Sequence, residues 1–204
     1  MLYDLIDDAL VLYPAAKSGA SYTVRSGVYS ISAYAFRNAA SPRLIDLSDT
    51  IRSIGEGAFA HCTALTELPQ ITSPYLTKIG RNAFRGCTGL NEITIPENIT
   101  IIDDGAFNGC HNLVAIHIPA NVQTIGTNAF VYGSIWGMES TAAQRYAEDN
   151  DLPFFLEGAS AAAAELRLGL DAAALRMGQT IQLGDDILAG APNEVIVTAP
   201  GSAA

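Results

Sequence analysis

The side chains of this 204-residue chain best suited to metal or redox chemistry are three cysteines and three histidines. Cys110, His111 and His117 crowd one segment, Cys62 follows His61, and Cys87 stands between the two groups. Structural zinc requires four converging ligands, drawn mostly from pairs a few residues apart. Here the cysteines are separated by 25 and 23 residues, which matches no such pairing. On the strand-and-turn pattern developed below, Cys110 points inward, His111 lies on the following turn, and His117 faces outward. The three diverge, so no metal site is expected. The thiols read as small buried hydrophobes, the alternative being a disulfide between neighbouring chain turns.

Nucleophilic catalysis needs a hydroxyl or thiol beside a base, and phosphate binding needs a glycine-rich loop. Neither G-x-S-x-G nor a phosphate loop occurs. The carboxylate pairs Asp103-Asp104, Glu148-Asp149 and Asp185-Asp186 sit in turn-like sequence and read as solvated groups. Asn98-Ile-Thr100 is a formal glycosylation sequon, but the turn after Pro96 accounts for Asn98. The reading is therefore of a protein that is not an enzyme, with no catalytic, cofactor-binding or metal residues.

What must position these residues is legible in the composition and the periodicity. Hydrophobic residues form 49% of the chain and charged residues 16%, which suits a continuous core. A net charge of −10 argues against nucleic acid, which demands clustered Lys and Arg. No apolar run approaches the length of a membrane span, so no membrane insertion is expected. MLYDLIDDAL places Asp4, Asp7 and Asp8 where a signal peptide would be apolar, so this chain carries no evident export signal.

Ala-Phe recurs at Phe36, Phe59, Phe84, Phe107 and Phe130, at intervals of 23, 25, 23 and 23. Five residues before each Phe stands Ile (Ile31, Ile54, Ile79, Ile102, Ile125), and eight before stands an aliphatic. Three after stands a small residue (Ala39, Cys62, Cys87, Cys110, Gly133), so the cysteines share one inward column. Gly or Asn two before Phe predicts a left-handed corner in four coils, with Tyr34 the exception. Pairs Tyr22/Val24, Ile45/Leu47, Leu68/Gln70, Ile93/Ile95 and Ile116/Ile118 predict short inward-facing strands. Gln70 is out of character there. The two additional residues of the long repeat are expected after this strand, near ITSPYL (Ile71 to Leu76).

A single coil cannot enclose its own apolar side chains, so each must bury them on the next. Strand stacking at about 4.8 Å makes five coils a slab roughly 24 Å long. The expected class is mostly β with short helical pieces. It is a solenoid of about five coils with a parallel sheet, closed by a small C-terminal helix–strand cap. In that cap Thr141 is expected to cap a helix with Gln144 completing the box. Ala143, Tyr146 and Ala147 supply its apolar stripe, Asn150 a left-handed stop, and Leu152 to Leu156 an edge strand.

The phrase I-x-x-I-G-x-x-A-F-x-G-C-x-x-L-x-x-I-x-I-P, clearest from Ile99 to Pro119 with Asp103 in place of Gly, resembles the BspA-type leucine-rich repeat of bacterial surface proteins. The resemblance covers about residues 22 to 136. It extends to the preceding LVLYPAAKSGASYTVRSGV, with Tyr13-Pro14, Lys17 and Tyr22, although Arg25 replaces the usual Pro. STAAQRYAEDNDLPFFLE is similar to the closing unit of such proteins. The resemblance implies a non-enzymatic, extracellular or cell-surface protein with a protein partner such as a host matrix or cell-surface protein, and in some members adhesion.

The expected organisation is an N-terminal lead-in with the first strand over 1–27 and the leucine-rich-repeat solenoid over 28–136. The helix–strand cap follows over 137–157, then a Gly/Ala-rich linker over 158–165. Residues 166–204 are either the start of a second β domain or a tail. The outward strand residues Asp46, Glu67, Glu92, Thr94 and His117 form the candidate partner-binding face, because solenoids bind on exposed sheet surfaces. Trp, Tyr and Arg, which dominate interface energetics, are absent from those columns. Trp136, with Ile135 and Tyr132, is expected to pack under the cap. The alternative role is a structural spacer that projects other domains from the cell wall.

Overall fold

A computed structural model describes residues 1–157 together with two strands beyond them, Thr180–Gln182 and Glu194–Ile196. The chain divides into two compact units, Met1–Glu157 and Gly158–Ala204. In the second, the two strands pair antiparallel, Ile181 opposite Val195. The linker and the rest of the expected second domain or tail lie outside the described residues.

The first unit is a solenoid with two strips of short parallel strands. One strip carries β2 (Ala9–Leu12), β4 (Ser30–Ile31), β6 (Ser53–Ile54), β7 (Lys78–Ile79), β9 (Ile101–Ile102) and β11 (Thr124–Ile125). β1 (Leu2–Asp4) folds back antiparallel on β2 as a hairpin. The other strip carries β3 (Ser21–Thr23) and β5 (Leu44–Asp46), then β8 (Glu92–Thr94), β10 (Ala115–His117), β12 (Ser134–Gly137) and β13 (Phe154–Leu156). The strands are short because a corner follows each one: Ile31 is three residues from a left-handed Tyr34 and Ile79 three from a left-handed Asn82.

Between the strips lies a column of aromatic rings. Phe36, Phe59, Phe84, Phe107 and Phe130 stack face to face with centroids 4.9–5.2 Å apart, and each is at most 2% exposed. The spacing equals the distance between paired strands, so the ring stack and the strand ladders rise in step. A backbone ladder runs beside it. The amides of Phe36, Phe59, Phe84 and Phe107 donate to the carbonyls of Ala58, Ala83, Ala106 and Ala129, one turn further on.

Six turns are present, one more than the phenylalanines count. Tyr13 begins the ring column, stacked on Phe36 at 5.0 Å, and its amide donates to the Ala35 carbonyl. At the other end helix α1 (Ala142–Asp149) closes the column. Phe130 has no further turn to pair with. The Tyr146 hydroxyl takes that place, accepting from the Phe130 amide at 2.9 Å and donating to the Phe130 carbonyl at 2.8 Å. Ala143 and Ala147 are buried with Tyr146, as the apolar stripe requires.

The helix ends differ from expectation. Thr141 occupies the N-cap but turns its hydroxyl to the Met138 carbonyl, and Gln144 reaches back to the Ser140 amide at 2.7 Å. The left-handed residue after the helix is Asp151 (φ 54), while Asn150 (φ −118) uses its side-chain amide to hold the Tyr146 carbonyl. Leu156 and its neighbours pair parallel to β12, as the edge-strand assignment anticipates.

The corner two residues before Phe is left-handed in all five repeats, Tyr34 included (φ 59). The Tyr34 ring lies over Gly57, where a Cβ would collide with it. A second left-handed corner, two residues after Phe, falls at Asn38, His61, Gly86 and Gly109.

The third strand position also departs from the periodic reading. Gln70, expected inward, is exposed and bridges in register with Asp46, while Pro69 is buried in its place. One additional residue of the 25-residue repeat is therefore inserted before the strand and the other after it, which shifts the alternation by one. Burying Pro69, which has no amide hydrogen to satisfy, leaves Gln70 free to pair through its amide with the Ile45 carbonyl.

Candidate interaction face

The outward column of the second strip is built by alternation: with Ile93, Ile116 and Ile135 inward and buried, their successors Thr94, His117 and Trp136 face out. Parallel register aligns Thr94 with His117, His117 with Trp136, and Trp136 with Phe155. The rings form a second stack: His117 lies 5.8 Å from Trp136 at 21°, and Trp136 lies 4.7 Å from Phe155 at 24°. The single Trp of the chain thus occupies the sheet face and contacts the cap strand from outside; only Ile135 is buried, and Tyr132 is 41% exposed. The outward columns do hold an interface-type residue.

Two carboxylates flank this stack. His117 Nδ1 lies 3.0 Å from Glu157 Oε1, and Nε2 lies 3.4 Å from Glu92 Oε1. The histidine ties the last coils to the chain beyond β13, and both carboxylates keep an exposed side. The result is an aromatic ridge edged by negative charge.

Of the sequence-predicted face, Glu92, Thr94 and His117 stand together beside Trp136. Asp46 is in the outward column of the earlier coils, its carboxylate accepting from the Thr23 hydroxyl at 3.1 Å. Glu67 is exposed, but the shift at Pro69 sets Leu68 level with Leu44 and leaves Glu67 one residue short of the strand. Trp136 and Phe155 were missed because they lie in SIWG and FFL, segments that depart from the repeat. The signal available was the period-2 alternation in those segments.

The cysteines do no chemistry on this face. Cys62, Cys87 and Cys110 are free and at most 1% exposed, each Sγ directed to a phenylalanine carbonyl of the preceding coil. Burial pushes the Cys110 thiol up to about 12, and Cys87 is raised through its contact with Cys62 and its burial. Among the described residues no group of His, Cys, Asp or Glu is arranged to hold a metal ion. Among them, too, no helix is long and apolar enough to cross a membrane. Asn98 of the sequon is engaged: its side-chain amide donates to the carbonyls of Ser73 and Leu76.

Comparison with known proteins agrees with this architecture. The chain is similar to a leucine-rich cell surface protein from Faecalibacterium prausnitzii, 34% identical with a TM-score of 0.60, over 67% of this chain and 37% of that one. It is similar to a leucine-rich repeat protein from Bacteroides ovatus, 27% identical with a TM-score of 0.51, over 64% of this chain and 36% of that one. The pneumococcal vaccine antigen PcpA shares the fold at 18% identity and a TM-score of 0.62, over 77% of this chain and 46% of that one. The chain therefore spans less than half the length of these solved proteins. No curated protein matches it. Residues 16–135 match the BspA type leucine rich repeat region in six copies, and with the ring column and paired strips described above the chain belongs to that family.

Proposed function

We propose that this chain is a non-enzymatic protein-binding module of a bacterial surface or secreted protein. It engages a host or neighbouring-cell protein through the outward sheet face. Trp136 stands toward the C-terminal end of that face between His117 and Phe155, with Glu92 and Thr94 nearby and Asp46 and Glu67 extending it toward the N-terminal coils. The observation that carries the reading is the His117–Trp136–Phe155 stack, a partly exposed aromatic ridge on the outward face of the sheet. Trp is the side chain most enriched among residues that dominate binding energy. The cell-surface setting is supported by the Faecalibacterium relative, a cell surface protein.

The test is binding of the purified chain to immobilised matrix proteins and to epithelial cells. Saturable binding is expected, weakened about 30-fold or more by Trp136→Ala, which corresponds to a loss of about 2 kcal/mol. Binding no greater than that of a variant with Glu92, Thr94, His117 and Trp136 all replaced would remove the proposal's support. A structural spacer that projects other domains is the second reading, favoured by the separate compact unit Gly158–Ala204. It is preferred if face variants leave cell attachment unchanged while deletion of the solenoid abolishes it.

A further inference from the structure

Among the described residues, several cations of this acidic chain are held in one of two ways. In the later coils they meet carboxylates: Lys78 pairs with Asp103 at 2.8 Å and Arg81 with Asp104 at 2.7 Å. In the earlier coils they lie on tyrosine rings: Arg25 over Tyr3 at 4.2 Å, Arg37 over Tyr34 at 5.6 Å, and Arg52 over both Tyr29 and Tyr75 at 4.8 and 5.4 Å. The Tyr34 hydroxyl already donates to Glu56, and the Tyr3 hydroxyl is bonded to Tyr22. Arg52 differs from both in lying on two rings rather than one. Two rings hold its guanidinium, Tyr29 and Tyr75 are 39% and 63% exposed, and among the described residues no carboxylate lies within salt-bridge reach of it.

We propose that Tyr29, Arg52 and Tyr75 form a second contact site, which receives a carboxylate side chain from an acidic segment of a partner protein. The two rings hold the guanidinium carbon 4.8 and 5.4 Å from their centroids, and among the described residues no carboxylate pairs with it. An Arg fork restrained by aromatic neighbours takes both oxygens of a carboxylate with little further loss of freedom. The two phenol groups beside it add hydrogen-bonding capacity and flat apolar area. Tyr and Arg together are the composition of an interface centre. A phosphate fits less well: its charge of about −2 is ordinarily met by a cluster of Arg side chains, and this site has one. The site lies beside the first strand strip and shares no residue with the Trp136 face, so each proposal stands or falls alone.

The arginine side-chain Nε–Hε resonances of the whole chain test this directly, with a hexaglutamate peptide as probe at low ionic strength. Arg43, exposed and on no ring, is the internal control. The Arg52 resonance is expected to saturate at roughly tenfold lower peptide concentration than that of Arg43, the factor given by one added charge-assisted contact. Tyr29→Ala with Tyr75→Ala is expected to abolish the difference; both side chains are exposed, so the coil beneath keeps its packing. The proposal is overturned if Arg52 and Arg43 titrate together or if the difference survives loss of both tyrosines. It is overturned as well if inorganic phosphate saturates Arg52 at lower concentration than the peptide does.

Discussion

Replacing Phe84 by Ala removes the middle phenylalanine of the column. Phe84 is fully buried and stacked between Phe59 at 5.1 Å and 3° and Phe107 at 5.2 Å and 10°. Truncating a buried Phe costs about 3–5 kcal/mol through lost transfer energy and the cavity left behind. Each stacked pair adds about 0.5–1.5 kcal/mol beyond area, and the rigid strand ladders on both sides prevent the coils from closing the gap. The upper end, about 5 kcal/mol, is therefore expected. Thr94→Ala, on an exposed outward position, is expected to change stability by less than about 0.5 kcal/mol. Urea unfolding followed by far-ultraviolet circular dichroism measures both. Because repeats contact only their neighbours, the Phe84 variant is also expected to unfold in two steps, splitting at the gap. Equal shifts for the two variants, or a loss below about 1 kcal/mol for Phe84→Ala, would refute the reasoning.

Other consequences are equally specific. Tyr146→Phe leaves the buried Phe130 amide without its acceptor and is expected to cost about 1–3 kcal/mol in the same melts, with no change in helix content. Asn98→Ala strips one donor from the Ser73 and Leu76 carbonyls and is expected to cost a similar amount, about 1–3 kcal/mol. The three thiols are expected to resist a thiol-specific reagent in the native protein and to react together on unfolding. Cys110 is raised from its ordinary 9.0 to about 12, so its contribution to stability is fully present below pH 9 and lost as pH rises toward 12. The raised Tyr13 and Tyr146 hydroxyls act in the same direction, so unfolding free energy measured against pH is expected to fall on the alkaline side.

Much of this fold was legible from residues alone because a solenoid repeats its physical problem at a fixed interval. The Phe and Cys columns appear in the sequence with the spacing they have in space. The misreadings arose where a different residue solves the same problem. Tyr13 does the work of a Phe, so the first turn went uncounted. Tyr34 adopts the left-handed corner that Gly and Asn usually take, because the repeated strand-and-turn frame around it determines the backbone. Pro69 fills an inward slot after a one-residue insertion, which a fixed period cannot register. The interaction face was half legible. Glu92, Thr94 and His117 follow from alternation, while Trp136 and Phe155 join them only through strand pairing in segments without the repeat.

The claim that the outward face is the contact surface is tested most directly by Trp136, the only Trp of the chain and hence the sole source of indole emission. With any protein or cell-surface extract that the chain binds saturably, its emission is expected to shift to shorter wavelength and its access to acrylamide to fall, in proportion to occupancy. A partner that saturates the chain while Trp136 keeps its emission maximum and its quenching unchanged would contradict the account.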